Sequence, residues 1–507
     1  MNIGWLTFLL LLPFVGALVT MAVPKASGLL AKQVSLGFSL ATLALTLVIT
    51  VGYHRNGAAD YEETHTWIEA FGAHYALGLD GVGLVLIVLT ALLTPIVQLA
   101  SWNDAKGGRW SEKSFFAWIL ALEVLSLGVF AATDVFLFYV LFEATLIPMY
   151  FLIGGFGGAQ RSYAAVKFLL YSLLGGLLML ASVVGLYVVS AKSGEPSYLL
   201  TDLIKVDMSQ NTERWLFLGF FFAFAVKAPM VPFHTWLPDA AAEATPGTSV
   251  LLVGILDKIG TFGMIRFCLG LFPNASEWAT PVVLVLALIS VLYGALVAIG
   301  QTDIKRLIAY TSISHFGFIV MGIFALTSQG MTGSTLYMFN HGLSTAALFL
   351  VAGYLISRRG SARIADYGGV EKVAPVLAGT FLFAGLSSLA LPGLSPFISE
   401  FMVLAGTFSR HKVIAVVAVL GIVLAALYIL IMYQRLMTGP VRDGIEKLKD
   451  LNAREVLAIA PLALLIVGFG IYPKPVVDII KPAVESTMQR VGVTDKAPEI
   501  PVTEGQK

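Results

Sequence analysis

Apolar residues along this chain gather into long runs separated by short polar connections. A membrane-crossing helix needs ~20 mostly apolar residues to traverse a hydrocarbon core about 30 Å thick. About fourteen runs meet that length, at 2–22, 30–53, 78–102, 113–131, 133–155, 162–191, 213–238, 247–271, 278–300, 304–326, 331–357, 375–409, 412–437 and 454–472. The pattern predicts an all-α polytopic membrane protein, with 1–473 as its transmembrane domain. Residues 474–507 are expected to form an extramembrane C-terminal tail too short to be a domain. The first run opens the chain without a basic leader, so it reads as a retained helix and not as a cleaved signal.

Composition narrows the class further. Hydrophobic residues make up 57% and DEKR 12% of the chain, where a soluble domain carries about 25% charged residues. That excludes a soluble globular enzyme, a disordered chain and a nucleic-acid binder. Lys+Arg 32 against Asp+Glu 31 leaves a net charge of +1, so no overall field recruits a charged partner. The single cysteine, Cys268, excludes intrachain disulfides, Cys-rich metal sites and iron–sulfur ligation. The surrounding partner is membrane lipid.

The basic residues set the expected orientation. Counting Lys and Arg in each connection and the span ends beside it gives 17 after the odd-numbered runs and 6 after the even-numbered ones. By the positive-inside rule the odd connections face the cytoplasm, which puts both termini on the outer side.

Two runs are interrupted. The seventh contains FAVKAPMVPFHTWLPDA and the twelfth GLSSLALPGLSPFISEFMVLAG. Pro229 and Pro232 free the carbonyls of Ala225 and Ala228 around Lys227, and Pro392 and Pro396 break the chain before Glu400. Irregular backbone at membrane depth survives only where protein or trapped water satisfies it. Two broken helices near lone charges, five helices apart, fit discontinuous helices 7 and 12 of inverted five-helix repeats, approximately 113–271 and 278–437.

Charges at membrane depth carry the functional information, because each costs about 2.5–3.5 kcal/mol at the bilayer centre on insertion scales. Glu143, Lys227, Lys258, His315, His341 and Glu400 run acid, base, base, imidazole, imidazole, acid across the bundle. Burial disfavours a charged lysine and a nearby acid favours it, so a lysine whose acid approaches or withdraws can load and unload a proton. Histidine exchanges protons near neutral pH. A single member of this set reads equally well as a static buried pair, whereas the whole set fits a proton relay along the membrane plane.

Further candidates are weaker. Glu123 lies mid-span, and Lys167 either joins the path or snorkels to the interface. Asp257 adjoins Lys258, but helix neighbours point about 100° apart. Arg266 and Asp134 sit near span ends and read as interfacial. His234, Asp239 and Glu243 cluster at the predicted cytoplasmic end of the seventh run, where they either take up protons or form a solvated loop. The chain shows no GxGxxG after a strand, no P-loop and no paired metal or haem spacing of His, so no cofactor is expected in it.

The segments FLFYVLFEATLIPMYFLIGGFGG, KAPMVPFHTWLPDA, LIAYTSISHFGF, FNHGLSTAALFL and LPGLSPFISEF resemble the antiporter-like subunits of respiratory complex I. Most of all they resemble the subunit M type of bacterial NADH–quinone oxidoreductase, similar to NADH dehydrogenase subunit 4 of mitochondria. The resemblance runs through nearly the whole chain. It implies a fourteen-helix core of two inverted repeats, with Glu143 and Lys227 as an acid–lysine pair and Lys258 as the connecting lysine. His315 and His341 would link the halves and Glu400 would end the second half-channel. It also implies that NADH, FMN, iron–sulfur clusters and quinone are handled by partner subunits, and that membrane, peripheral-arm and sister antiporter-like subunits surround this chain.

Two positions depart from the family pattern. Ala241 stands where a second His is common, so an uptake role for that His does not transfer. Asp257 stands where the residue before the lysine is usually apolar. The implied function is a proton-translocating subunit of complex I in a bacterial plasma membrane, an enzyme subunit without a redox centre of its own. The rival readings are a subunit of a multi-subunit cation/proton antiporter, a non-conducting structural scaffold, and a membrane-bound hydrogenase subunit.

Overall fold

The structure, a computed structural model, describes residues 4–54, 60–106 and 110–495. The expected tail is therefore visible only to 495, and residues 2–3 of the first expected run and 496–507 of the tail lie outside the described residues. Twelve described helices are long and apolar enough to cross a membrane. They are α1 (Trp5–Ala22), α2 (Gly28–Gly52), α3 (Gly81–Ala100), α4 (Glu112–Ala131), α5 (Val135–Phe156) and α6 (Arg161–Ser193). After an interruption come α9 (Pro246–Leu269), α10 (Pro273–Ile299), α11 (Ile304–Phe324), α12 (Ser328–Arg359), α15 (Lys412–Met437) and α16 (Ala453–Ile471).

The seventh and twelfth runs are absent from that set because each is broken in two. α7 (Gln210–Lys227) stops at the lysine and α8 (Trp236–Glu243) resumes after it. The freed carbonyls find donors: Met230 N–H donates to Ala225 O at 3.0 Å and Trp236 Nε1 to Val226 O at 3.0 Å. α13 (Pro375–Ser388) and α14 (Ser395–Arg410) flank the second break, where Gly393 takes a φ of +94°. There Asn340 Nδ2, reaching over from α12, donates to Ser395 O at 2.8 Å. Protein groups thus satisfy backbone that cannot be helical next to proline.

Local sequence explains the intact helix starts. Asp303 accepts from Arg306 N–H at 2.9 Å to open α11. Asn452 and Glu455 form a reciprocal capping box at α16. α9 starts on Thr245 followed by Pro246, then carries two π-helical turns, Leu252–Leu256 and Met264–Leu269. α9, α11 and α12 are buried almost throughout, while α1, α2, α15 and α16 keep broad apolar faces outward. Outward leucines and valines on peripheral helices are what a lipid surrounding requires.

A β-hairpin and a helix in the tail are ordered outside the crossing helices. β1 (Asp60–Ile68) and β2 (Ala73–Leu79) form an antiparallel hairpin in which His65 faces Tyr75 and Thr66 faces His74. A scan for twenty-residue apolar runs passes over so short and polar a segment. Its Glu63 accepts from Leu6 N–H at 2.6 Å and Thr7 N–H at 3.2 Å, supplying the cap that α1 lacks in its own sequence. The tail also folds in part: α17 (Lys474–Val491) packs against α3 and α12.

Connections after even-numbered runs meet on one face. Leu77 bridges Ala132, and Asp134 bridges Leu199. Asp134, expected at the interface, is instead fully buried under the hairpin, where it accepts from His74 N–H and Leu137 N–H, both at 2.9 Å. Connections after odd-numbered runs meet on the other face. There Asp303 bridges Arg363 and Lys305 Nζ donates to Ala244 O at 2.8 Å. Arg358 grips Glu455 through two bonds of 3.0 and 2.5 Å and also reaches the carbonyls of Lys449 and Asp450. A bidentate pair of this kind, largely removed from solvent, ties α12 to α16.

Candidate functional site: a line of buried ionisable groups

Glu143 sits beside the turn at Thr145 that divides α5. Gly176 of α6 makes room for its carboxylate, since any side chain there would collide with it. Lys227 is buried at the last residue of α7, where the break begins. Its Nζ donates to Thr145 Oγ1 at 3.4 Å and lies 4.9 Å from the ring centre of Phe142 and 5.8 Å from that of Phe168. Glu143 and Lys227 each feel the other's charge, yet Glu143 Oε1 has no hydrogen-bond partner. The ammonium rests on a hydroxyl and two ring faces, and no direct ion pair with the acid is formed among the described residues.

A second group runs from Lys258 to Glu400. Lys258 follows the first π-helical turn of α9, and its Nζ donates to Val253 O, a carbonyl within that turn, at 2.7 Å. The same Nζ lies 2.7 Å from His341 Nδ1. The His341 and His315 rings are 5.3 Å apart, centre to centre. His315 Nδ1 is 2.7 Å from Tyr337 Oη, and Tyr337 donates to Glu400 Oε2 at 3.1 Å. Tyr428 Oη lies 3.4 Å from His315 Nε2.

The donors can be assigned from this count. A tyrosine has one hydroxyl proton, and Tyr337 gives it to Glu400. His315 Nδ1–H is then the donor to Tyr337, and Nε2 accepts from Tyr428. Lys258 has only protons to offer, so His341 Nδ1 accepts and its other nitrogen carries the hydrogen. That nitrogen, Nε2, has no partner. Lysine, two imidazoles, a phenol and a carboxyl thus line up within the buried core, and every link is a group able to give or take a proton.

The structure brings together all six principal candidates in two clusters, Glu143–Lys227 and Lys258–His341–His315–Glu400. No hydrogen bond joins the clusters among the described residues. Asp257, just before Lys258 on α9, is fully buried, with neither oxygen partnered. Glu123 stands apart on α4, also buried and unpartnered. Lys167 pairs with Asp239: its Nζ is 2.6 Å from Asp239 Oδ2, and Asp239 Oδ1 takes Arg306 Nη1 at 2.5 Å. These opposing charges hold Asp239 below the ordinary carboxylate range, against the upward push of its partial burial. His234 is buried against Tyr293 and Tyr310 with both ring nitrogens unpartnered. Glu243 accepts from Gln160 N–H at 2.8 Å and serves the connection beside it. Ala241, in the place of the missing histidine, is fully buried. Arg266, read as interfacial, pairs with Asp80 at 3.0 Å on the hairpin face.

Sequence reasoning missed Thr145, Tyr337 and Tyr428. Tyr337 precedes His341 by four residues on one helix face, a spacing that could have exposed it. Tyr428 lies on a different helix, and only packing connects it to His315. Three or more His, Cys, Asp or Glu residues placed to hold a metal do not occur together among the described residues.

Residues 132–425 match the family described as NADH:quinone oxidoreductase/Mrp antiporter, transmembrane. NADH-quinone oxidoreductase subunit M of Mycobacterium tuberculosis is 52% identical, the alignment covering 98% of this chain and 96% of that one. NADH-ubiquinone oxidoreductase chain 4 of Metridium senile is 38% identical over 95% of this chain and 98% of its own. Among solved structures, a chain of respiratory complex I from Thermus thermophilus with bound NADH superposes with a TM-score of 0.87. It is 32% identical, over 96% of this chain and 100% of that one. A chain of an Mrp complex from a Dietzia species gives a TM-score of 0.83 at 20% identity, over 95% and 98%, a likeness of fold.

Proposed function

Since this chain belongs to the NADH:quinone oxidoreductase/Mrp antiporter membrane family, we propose that its two buried clusters are the proton path of an antiporter-like, proton-pumping membrane subunit of complex I. The observation that carries the path is the run of proton-exchanging groups from Lys258 to Glu400, hydrogen-bonded from Lys258 to His341 and from His315 through Tyr337 to Glu400, with the two imidazole rings 5.3 Å apart between them. Withdrawal of Glu143 from Lys227 lowers the lysine's hold on its proton and pushes it toward Lys258 and Glu400. NADH, FMN, iron–sulfur and quinone chemistry belong to partner subunits, and sister antiporter-like subunits adjoin this chain. We take its membrane to be a bacterial plasma membrane, with the odd-connection face cytoplasmic and both termini outside. The broken helices fit two inverted repeats, approximately 113–271 and 278–437, within a transmembrane domain of 1–473.

The experiment uses inverted membrane vesicles and a ΔpH-sensitive dye. NADH should acidify the lumen through the complex containing this chain, and a Na⁺ pulse without NADH should not. Na⁺-driven proton movement that ignores NADH would assign the chain to an antiporter instead. Within the path, Tyr337→Phe keeps the ring and removes the hydroxyl that joins His315 to Glu400. NADH-driven dye quench in Tyr337→Phe is expected to fall roughly tenfold, with the complex intact on a native gel. An unchanged quench would remove the tyrosine from the path.

A further inference from the structure

No hydrogen bond joins Lys227 to Lys258 among the described residues. We infer that Asp257 is the proton carrier that joins Lys227 to Lys258, alternating between carboxylate and carboxylic acid as each proton passes. This inference rests on the relay proposed above.

Three observations place it there. Asp257 is fully buried, and neither carboxylate oxygen has a hydrogen-bond partner among the described residues. A purely structural buried acid normally has its oxygens occupied by donors. Asp134 in this same chain is such a case, with two backbone N–H groups on its carboxylate. Next, the charges acting on Asp257 are those of the two lysines to be joined, Lys258 and Lys227. Finally, helix geometry aims it at the gap. Gly260, three residues on and so on nearly the same face of α9, touches the break in α7. A Cβ there would lie 2.5 Å from Ala228 N and 2.7 Å from Phe224 O. Ala228 follows Lys227 directly.

Asp257 and Lys258 adjoin in sequence but serve opposite sides. The lysine turns to His341 of α12, while helix spacing puts the acid near the face of Gly260, which meets α7. The π-helical turn that ends at Asp257 brings its N–H to Leu252 O at 3.1 Å and precedes both residues. Local π-helical turns are frequent at functional sites.

The transfer balances. An N–H bond of the Lys227 ammonium breaks as an O–H bond forms on the Asp257 carboxylate, leaving an amine and a carboxylic acid. That O–H bond then breaks as the neutral Lys258 amine gains the proton, which regenerates the carboxylate. No electrons change hands, and no co-reactant is required.

The test compares Asp257→Asn, Asp257→Glu and Lys227→Ala in the whole complex, in inverted vesicles. Asp257→Asn keeps the shape and cannot carry a proton. Its NADH-driven acidification is expected to fall roughly fivefold, while Asp257→Glu retains most of the wild-type rate. Full pumping in Asp257→Asn with none in Lys227→Ala overturns this inference and leaves the relay standing. Full pumping in both overturns the relay as well. If Asp257→Asn does not assemble, infrared difference spectra of the wild type and Asp257→Glu during NADH turnover decide the matter. A transient carboxylic C=O band that moves between the two proteins supports the carrier. A permanently charged counterion gives no such band, and its absence overturns the proposal.

Discussion

Replacing Lys227 with alanine is expected to abolish NADH-driven proton pumping, a loss of about 100-fold or more, while the complex stays assembled. Pumping fails because Lys227 is the group between the Glu143 carboxylate and the rest of the line. Assembly survives because little else depends on the ammonium. Its hydroxyl partner, Thr145, keeps its own bond to Phe142 O at 2.7 Å, and no direct ion pair is broken. Deleting a buried cation also relieves the burden of keeping it from water, in contrast to removing one half of a tight pair. NADH oxidation and dye quench measured together in inverted vesicles check this result. Loss of both, with the complex intact on a native gel, is expected for a residue coupled to turnover. Wild-type values for both would make the lysine structural and the relay wrong.

Gly260→Leu should act through the opposite route, removing the assembled subunit itself. The atoms that a side chain at 260 would meet are Ala228 N and Phe224 O, both backbone, at the place where α7 ends. Backbone beside a proline break has no rotamer to change, so the two helices must separate. Overpacking of an ordinary core costs about 1–3 kcal/mol, and a collision with backbone belongs at or beyond the upper end of that range. Immunodetection of the subunit in membranes should show it strongly depleted, with a fall in assembled complex to match. Normal levels would mean that α7 and α9 are less tightly joined than the contact implies. The two variants separate chemistry from packing at the same contact between α7 and α9.

The spans and the principal charges were legible because membrane crossing imposes a length and a composition on each helix, and because a lone charge in an apolar run stands out. The breaks were legible for a similar reason, since proline has one physical effect wherever it falls. Partners across helices were harder. Glu143, Lys227 and Lys258 could be picked from the sequence, but not that Lys227 rests on Thr145 or that both carboxylate oxygens of Asp257 lack a partner. Tyr428 meets His315 over 113 residues of chain, and a tyrosine in an apolar run looks like any other aromatic. The hairpin at Asp60–Leu79 stayed hidden because its value lies in what it covers: Glu63 caps a helix more than fifty residues away.

One property of α12 bears on how the molecule can move. This long buried helix packs against α3, α9, α11, α13, α14, α16 and α17. Many transporters alternate access by rocking one bundle of helices against its mate. Here such rocking would have to shear the buried contact between α9 and α12, and it would tear Lys258 from His341 with every swing. In the proposed relay, side chains and short irregular turns therefore supply the stroke within a stationary frame, as in a conduit with movable contacts.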